Sequence, residues 1–399
     1  MYDLIIKQGK CADGSVVDVA VKEGKIAALG SLEHNATAAK TLDLQGRYFL
    51  SAGWIDSHTH CYPSSPIYND EPDLVGVSSG VTSVVDAGST GADDIDEFYR
   101  LTRSAKTNVF AFLNISRIGL LRQNELGDMN DIDDALAHKA IRAHQGFVVG
   151  IKARMSSSVV QQNGIQPLVR AKEIQANNGG LPLMVHIGNN PPNLDDIADL
   201  LTQGDIITHC YNGKPNRILT LEGELRSAVK RALDRGVLLD VGHGSASFSF
   251  DVAEVAIAQG IYPHTISSDI YCKNRIKGPV YSLAYVMSKF LLVGLSLPQI
   301  IDCVTANAAQ ALRLPNKGRL AVGCDADFTI FDVVEQAQVF ADSEQQSRSG
   351  QTLILPLAAI VAGGAKPSHD GEDTTTASST PSKSAIYRPV LFTKSLTSK

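Results

Sequence analysis

Two histidines, His58 and His60, follow the apolar run 53–57 with a single residue between them. On an extended strand, residues two apart point to the same face, so both imidazoles project in one direction. Imidazole is the commonest side-chain ligand for metal ions. The pair by itself also fits an ordinary turn or core position, and it indicates a metal site only if further ligands join it.

Four more side chains with ligand chemistry end later apolar runs. They are Lys152, His186, His209 and Asp269. Each one alone would more often be structural. The placement of all four at the ends of separate runs is hard to obtain by accident, and it predicts that they meet the two histidines around one metal centre.

Lys152 closes the apolar run 147–152. An apolar environment lowers the pKa of a lysine because burial disfavours the charged ammonium form. A neutral amine at this place can react with carbon dioxide, and the oxygens of the resulting carbamate can bridge two cations. The alternative is an unmodified lysine that binds a negative charge on a substrate.

The elements that carry these residues follow a regular pattern. Between residues 54 and 312, short apolar runs alternate with longer amphipathic segments, which is typical of repeated βα units and a parallel sheet. The runs are 53–57, 83–86, 109–114, 147–152, 183–186, 206–209, 237–241 and 265–269. Eight units over about 260 residues predict an α/β fold of the (β/α)8 TIM-barrel type, in which chemistry lies at the C-terminal ends of the strands.

The ends of the chain have a different style. Residues 1–52 and 313–365 contain short β-rich runs and turns, which predict a small flanking β-sandwich domain formed from both termini. Residues 53–312 then form the catalytic barrel. Residues 366–399 begin with a polar, Ser- and Thr-rich stretch, and we expect a largely disordered tail there.

Composition excludes several classes of function. The net charge is −6 and no basic patch stands out, so nucleic acid is not an expected partner. The sequence contains no apolar run of 18 residues, so no membrane span is expected. The amino terminus lacks the features of a secretory signal. Six scattered cysteines without a CxxC pair fit a reducing compartment. We expect a cytoplasmic protein with a small-molecule partner. The sequence leaves open whether the protein forms a homo-oligomer.

Three segments resemble the amidohydrolase superfamily of metal-dependent hydrolases. They are residues 46–60, 80–89 and 323–332, and the similarity extends over residues 1 to about 365. The resemblance implies a (β/α)8 barrel with a flanking β-sandwich. It also implies two divalent metal ions, usually zinc, and carbon dioxide to carboxylate Lys152.

The resemblance further implies a role for each predicted ligand. His58, His60 and Asp269 would hold the first metal, carboxylated Lys152 would bridge both metals, and His186 with His209 would hold the second. Asp269 would also act as general base and then as general acid during hydrolysis. An intact set of six ligands argues against a non-catalytic scaffold of the same fold.

Tyr62 distinguishes between branches of this superfamily. Dihydroorotases normally carry an arginine two residues after the second histidine, and Tyr62 stands there. Segments 86–89, 150–157 and 242–244 resemble the amidohydrolase/deacetylase subgroup instead. This resemblance implies removal of an acyl group, as in an N-acetyl amino acid or an O-acetyl hydroxy acid. The alternative is a cyclic amide hydrolase of the dihydroorotase or hydantoinase type.

Three further residues are candidates for binding the substrate. Arg154, two residues beyond Lys152, could bind a carboxylate through both of its nitrogens or form a salt bridge to an acid of the barrel. His243 lies in a Gly-His-Gly turn that would leave its ring free to face the site, or it bonds to the backbone of its own loop. Tyr271, just past Asp269, could reach the pocket.

Overall fold

A computed structural model describes residues 1–33, 35–362 and 385–387 of the chain, with a mixed α/β fold. The strands are β1 (Tyr2–Lys10), β2 (Val16–Lys22), β3 (Lys25–Gly30), β4 (Ala38–Asp43), β5 (Phe49–Ala52), β6 (Trp54–Thr59), β7 (Val81–Ala87), β8 (Asn108–Asn114), β9 (Val148–Met155), β10 (Leu183–Ile187), β11 (Ile206–Thr208), β12 (Leu238–Leu239), β13 (Phe328–Ala341), β14 (Ser347–Val361) and β15 (Ala385–Tyr387).

Helices connect the strands in the middle of the chain. They are α1 (Pro72–Val75), α2 (Ile95–Thr102), α3 (Asp134–Ala143), α4 (Ser157–Val160), α5 (Gln166–Asn177), α6 (Leu194–Leu200), α7 (Ser227–Asp234), α8 (Phe250–Ala258), α9 (Cys272–Lys277), α10 (Leu283–Leu292), α11 (Leu297–Cys303) and α12 (Ala306–Ala311). Among the described residues, none of these helices is long and apolar enough to cross a membrane.

A parallel sheet of seven strands runs from β6 to β12 in chain order. Each strand pairs in parallel with the next, and helices follow most of them, so successive strands are joined by crossover connections. β7 is buried along its whole length, as expected of a parallel strand covered on both faces. The first seven predicted runs lie on these strands, and the mixed α/β class is confirmed.

The eighth predicted run, 265–269, differs from the expectation of a regular strand. Within it Thr265 forms an isolated parallel bridge to Asp240, and the next residue after the run, Ile270, forms another to Thr59. The physical reason lies in the backbone of Asp269, whose φ of +49° is in the left-handed region and interrupts an extended conformation. The segment therefore lies between β12 and β6 without being a continuous strand.

An apolar cluster supports the centre of the parallel sheet. Its members come from six strands and from α12 with its C-cap, and include Ile55, Val85, Phe112, Val149, Met184, Ile206, Ala308 and Leu312. The side chain of Lys152 rests on this cluster, with Nζ 3.2 Å from the sulfur of Met184. The predicted ligand lysine is thereby held above an apolar floor.

The second sheet has eight strands from both ends of the chain, in the order β15-β14-β13-β5-β1-β2-β3, with β4 paired to β1. Phe331 on β13 stacks on Phe49 and packs against Trp54 at the start of β6, which joins the two sheets. The long β13–β14 hairpin also reaches the loops that follow β12, because Ser343 and Phe248 bond through their backbones.

The predicted disordered tail, 366–399, lies mostly outside the described residues. Residues 385–387 belong to it and form β15, which pairs with β14 in an antiparallel arrangement. The edge of β14 offers backbone groups with which this extended segment forms hydrogen bonds.

Candidate metal centre

The predicted ligands meet at the C-terminal ends of the parallel strands. His58, His209 and Asp269 each place one ligand atom within 4.8 Å of the other two. His60 joins them, with Nε2 3.1 Å from Asp269 Oδ1, and His58 Nε2 lies 3.4 Å from the same oxygen. A single carboxylate oxygen thus faces two imidazole nitrogens.

His186 lies on the other side of His209. The two rings meet edge to face, with centroids 4.4 Å apart. His186 and Asp269 are partly exposed, whereas His58, Lys152 and His209 are buried. The open side of the cluster, from which a substrate would approach, is therefore the side of His186 and Asp269.

Lys152 is buried beside His58, and its Nζ lies 3.3 Å from His58 Nε2. No carboxylate of the described residues is within ion-pair distance of this amine. Burial lowers the pKa of Lys152 to about 7, even though the charges of Asp269 and Asp240 act in the opposite direction. A large fraction of the amine is therefore neutral near pH 7, which is the form that carbon dioxide requires.

Three of the histidines bond to the protein through the same ring nitrogen. Nδ1 of His58 contacts Thr208 Oγ1 at 2.9 Å, Nδ1 of His60 contacts Ser89 Oγ at 2.8 Å, and Nδ1 of His209 contacts the carbonyl of Gly242 at 2.6 Å. A carbonyl only accepts, so Nδ1 of His209 carries the proton and its Nε2 has a free lone pair.

The same tautomer is set at His58 by a relay of hydrogen bonds. The hydroxyl of Thr208 donates to Asp240 Oδ2 at 2.7 Å and so accepts from His58 Nδ1. Asp240 is fully buried and also accepts hydrogen bonds from Thr265 and Ser267. Such outer partners fix the orientation of metal-binding histidines.

The protonation states favour metal binding. Burial lowers the pKa of His58 to about 4 and places the pKa values of His186 and His209 well below the ordinary range. Burial alone would raise the pKa of the Asp269 carboxyl. The electrostatic interaction with His58 and the hydrogen bond from His60 outweigh burial and hold that pKa below its usual value. Neutral imidazoles and an ionised carboxylate are the forms that bind divalent cations.

The backbone at two of these residues is strained. His209 and Asp269 have φ values of +64° and +49°, which side chains other than glycine rarely adopt. Two glycines make room for them: a Cβ on Gly242 would overlap Thr208, and a Cβ on Gly244 would overlap Asp269 Oδ2. Strain of this kind concentrates at functional sites.

These observations fit divalent metal ions. The donors are four imidazoles, three of which (His58, His60 and His209) have Nδ1 held by the protein, together with a carboxylate and a buried lysine that has no counter-ion among the described residues. His58, His60, Lys152, His186, His209 and Asp269 are the residues that would hold the ions.

The structure gives Arg154 a partner of its own. Its Nη1 lies 3.1 Å from Glu125 Oε2, and its Nη2 bonds to Gln123. Glu125 is fully buried, so the charge of Arg154 is balanced inside the protein. This contact corresponds to the salt bridge that the sequence left as an alternative.

His243 differs from the expectation that its ring is free to face the site. The ring is completely buried and stacks on Phe248. Its Nδ1 bonds to the carbonyl of Gly244, and its Nε2 lies 2.7 Å from Lys289 Nζ. The bond to Gly244 corresponds to the other alternative, a histidine bound to the backbone of its own loop, and helix α10, far along the chain, brings a buried lysine against this turn.

Tyr271 lies at the rim and is partly exposed. Its hydroxyl contacts Ser245 Oγ at 3.2 Å, and its ring packs edge to face on Tyr68. Tyr68 in turn packs on His60, with ring centroids 5.4 Å apart. Sequence reasoning missed Tyr68, because it lies in a loop without a strand-end signal.

Asp240 was also missed, although a sequence signal for it exists. It is a carboxylate inside the apolar run 237–241, where a charged side chain requires buried partners. The strand-end pattern points to His243 beside this run and not to the acid within it.

We predict that Gly244→Ala weakens metal binding by about 10- to 100-fold, because the new methyl group displaces Asp269. Gly164→Ala is the control: Gly164 has nearly the same φ, +54° against +55°, and no atom within 4 Å of the added methyl group. Metal affinity is measured by competition with a chromophoric chelator. Equal affinities in the two variants would contradict the placement of Asp269 in the centre.

We also predict that Thr208→Val lowers metal affinity by about 10- to 100-fold, because His58 loses the acceptor that fixes its tautomer. Thr82→Val is the matched control, since Thr82 is an equally buried threonine whose hydroxyl bonds to the carbonyl of Trp54. The same chelator competition applies. An effect of similar size in Thr82→Val would mean that the loss reflects stability alone.

Comparison with known proteins identifies relatives along most of the chain. A family model described as a deacetylase-like composite domain matches residues 320–365. A deacetylase of Enterococcus faecalis is 46% identical, with 91% of this chain and 98% of that protein covered. The deacetylase Atu3266 of Agrobacterium fabrum is 36% identical, with 88% and 87% covered.

Solved structures agree on the fold and differ in the activity they are described with. A crystal structure of an adenine deaminase has a TM-score of 0.89 at 46% identity, covering 91% of this chain and 99% of that chain. A crystal structure of a dihydroorotase has a TM-score of 0.82 at 33% identity, covering 91% and 98%. The resemblance found in the sequence is confirmed: the chain belongs to the amidohydrolase superfamily and is a metal-dependent hydrolase.

Proposed function

We propose that this protein is an acyl-hydrolase with a binuclear metal centre, which removes an acetyl group from an N-acetyl amino acid or an O-acetyl hydroxy acid. The observation that carries the proposal is the convergence of four histidines and Asp269 around Lys152, a buried lysine without a counter-ion. The close relatives named deacetylases support the acyl-transfer chemistry.

We also infer that the parallel sheet closes into a (β/α)8 barrel. The bridges Asp240–Thr265 and Thr59–Ile270 connect residues 265–270 to both edge strands, and the amide of Asp269 donates to the carbonyl of His58 at 2.7 Å. In this arrangement residues 53–312 form the catalytic barrel, and residues 1–52 and 313–365 form the flanking β-sandwich domain.

In the proposed centre each ligand has a defined place. His58, His60 and Asp269 would hold one ion, His186 and His209 would hold the other, and carboxylated Lys152 would bridge the two. Bound divalent ions would polarise the acyl carbonyl and lower the pKa of water from about 15.7 toward roughly 7.

Asp269 has the geometry of a residue that moves a proton. Its Oδ1 faces His58 and His60, whereas Oδ2 points into the space left by Gly244. No hydrogen bond from the described residues reaches Oδ2. We assign to Oδ2 the acceptance of a proton from the attacking water and its delivery to the leaving nitrogen or oxygen.

A cyclic amide hydrolase is the second candidate, favoured by the 33% identical dihydroorotase structure. Tyr62 argues against it. The side chain of Tyr62 is buried and packs on Phe98 with ring centroids 5.2 Å apart, so it offers no positive charge to a carboxylate of dihydroorotate. The acyl-hydrolase is therefore the better supported of the two.

A substrate panel tests the choice. N-acetyl amino acids and O-acetyl hydroxy acids are compared with dihydroorotate, hydantoins and adenine, using metal-loaded protein. We expect release of acetate from members of the first two classes and no turnover of the others. Ring opening or deamination without deacylation would overturn the proposal.

We expect Lys152→Ala to lose most of the bound metal, because the bridging ligand disappears. A short carboxylic acid such as propionate should restore part of the metal content and part of the turnover. Lys289→Met serves as control, since Lys289 is also a fully buried lysine but lies beside His243. Metal per protein is measured by elemental analysis of the folded fraction. Full metal content in Lys152→Ala would remove the lysine from the centre.

A further inference from the structure

Lys214 lies in the loop that follows β11, five residues beyond His209, and is partly buried. Its side chain lies near Gly188, the residue after β10. A methyl group built on Gly188 would lie 3.4 Å from His186 Nε2 and 3.6 Å from Lys214 Cδ. The lysine and the ligand face of His186 therefore border the same small space, on the open side of the centre.

The charge of Lys214 is not balanced by an ion pair within the described part of the protein. No carboxylate of the described residues is within ion-pair distance of its amine. Burial lowers the pKa of Lys214. The charge of Glu344, on the tip of the β13–β14 hairpin, acts against this effect, but Glu344 is exposed to solvent. Asp269 acts in the same direction as Glu344.

Arg154 provides the contrast. The charges of Arg154 and Lys214 both lower the pKa of His186, although burial and His209 lower it more. Both cations therefore lie close to the centre. Arg154 is already paired with the buried Glu125, and using it for a substrate anion would leave that acid without a partner. Of these two cations, Lys214 can accept a negative charge without breaking an ion pair of the described residues.

We propose that Lys214 binds the carboxylate of the substrate and makes the site selective for acylated acids over their neutral esters. This inference rests on the proposed acyl-hydrolase function and adds a residue that the strand-end pattern did not select. The carboxylate would lie in the space beside Gly188, with the acyl group toward His186 and Asp269. A partly desolvated cation gains a charge-assisted hydrogen bond from such a partner.

Turnover of paired substrates tests the proposal. O-acetyl lactate and N-acetylalanine are each compared with their methyl esters in metal-loaded wild type, Lys214→Met and Lys214→Arg. We expect Lys214→Met to lower kcat/KM for the two acids by about 10- to 100-fold, mostly through KM, and to change it for the two esters by less than about twofold. Lys214→Arg should retain most of the preference for the acids.

Lys230→Met is the control for loss of a lysine, because Lys230 is on the surface of α7 and pairs with Asp234. It should leave the acid-to-ester ratio unchanged. Equal losses for acids and esters in Lys214→Met, or an unchanged ratio, would overturn the assignment of Lys214. Thermal denaturation checks that the variants are folded.

A binding measurement separates this inference from the proposed function. 2-Methoxypropionate, an ether that cannot be hydrolysed, and its methyl ester are titrated by calorimetry into metal-loaded wild type and Lys214→Met. Weaker binding of the acid alone in the variant supports the role of Lys214 even if no acyl substrate is turned over, in which case only the acyl-hydrolase proposal fails. Binding of the acid that does not depend on Lys214 overturns the inference, whatever the turnover results.

Discussion

The burial of Lys152 without a counter-ion is the constraint on which the rest of the site depends. Desolvating an ammonium group is costly, and the protein places this one on an apolar floor that includes Met184, beside the ring of His58. Such a position is stable only if the amine is neutral or is converted to another group. Four histidines gather around the amine, and no acid of the described residues is close enough to pair with it, so the site is suited to bind cations.

The surrounding structure holds those histidines in one orientation. Asp240 is buried at the end of the parallel sheet and acts on His58 through Thr208, while Gly242 supplies both the carbonyl for His209 and the space that the strained loop needs. The left-handed backbone of His209 and Asp269 costs free energy that core packing must offset. The apolar cluster below the site and the helices around it provide that support.

The sequence predicted the parts of this arrangement that are local. A polar residue at the end of an apolar run is visible along the chain, and that signal located Lys152, His209 and Asp269. It did not reveal the fate of His243, since the burial of its ring depends on Lys289, 46 residues away. The irregular strand before Asp269 was missed for a related reason: its apolar pattern is regular, and the departure comes from the backbone geometry that the site imposes.

Charge balance decides questions that residue spacing leaves open. Arg154 and Lys152 are separated by one residue on β9, and by spacing alone Arg154 is the natural partner for a substrate anion. The fold instead brings Glu125 to Arg154, whereas Lys214, from a different loop, has no ion-pair partner in the described part of the chain. A cation already paired inside the protein contributes to rigidity, whereas one that meets its counter-charge only in the complex contributes to selectivity. The two positively charged residues at this rim therefore have different roles.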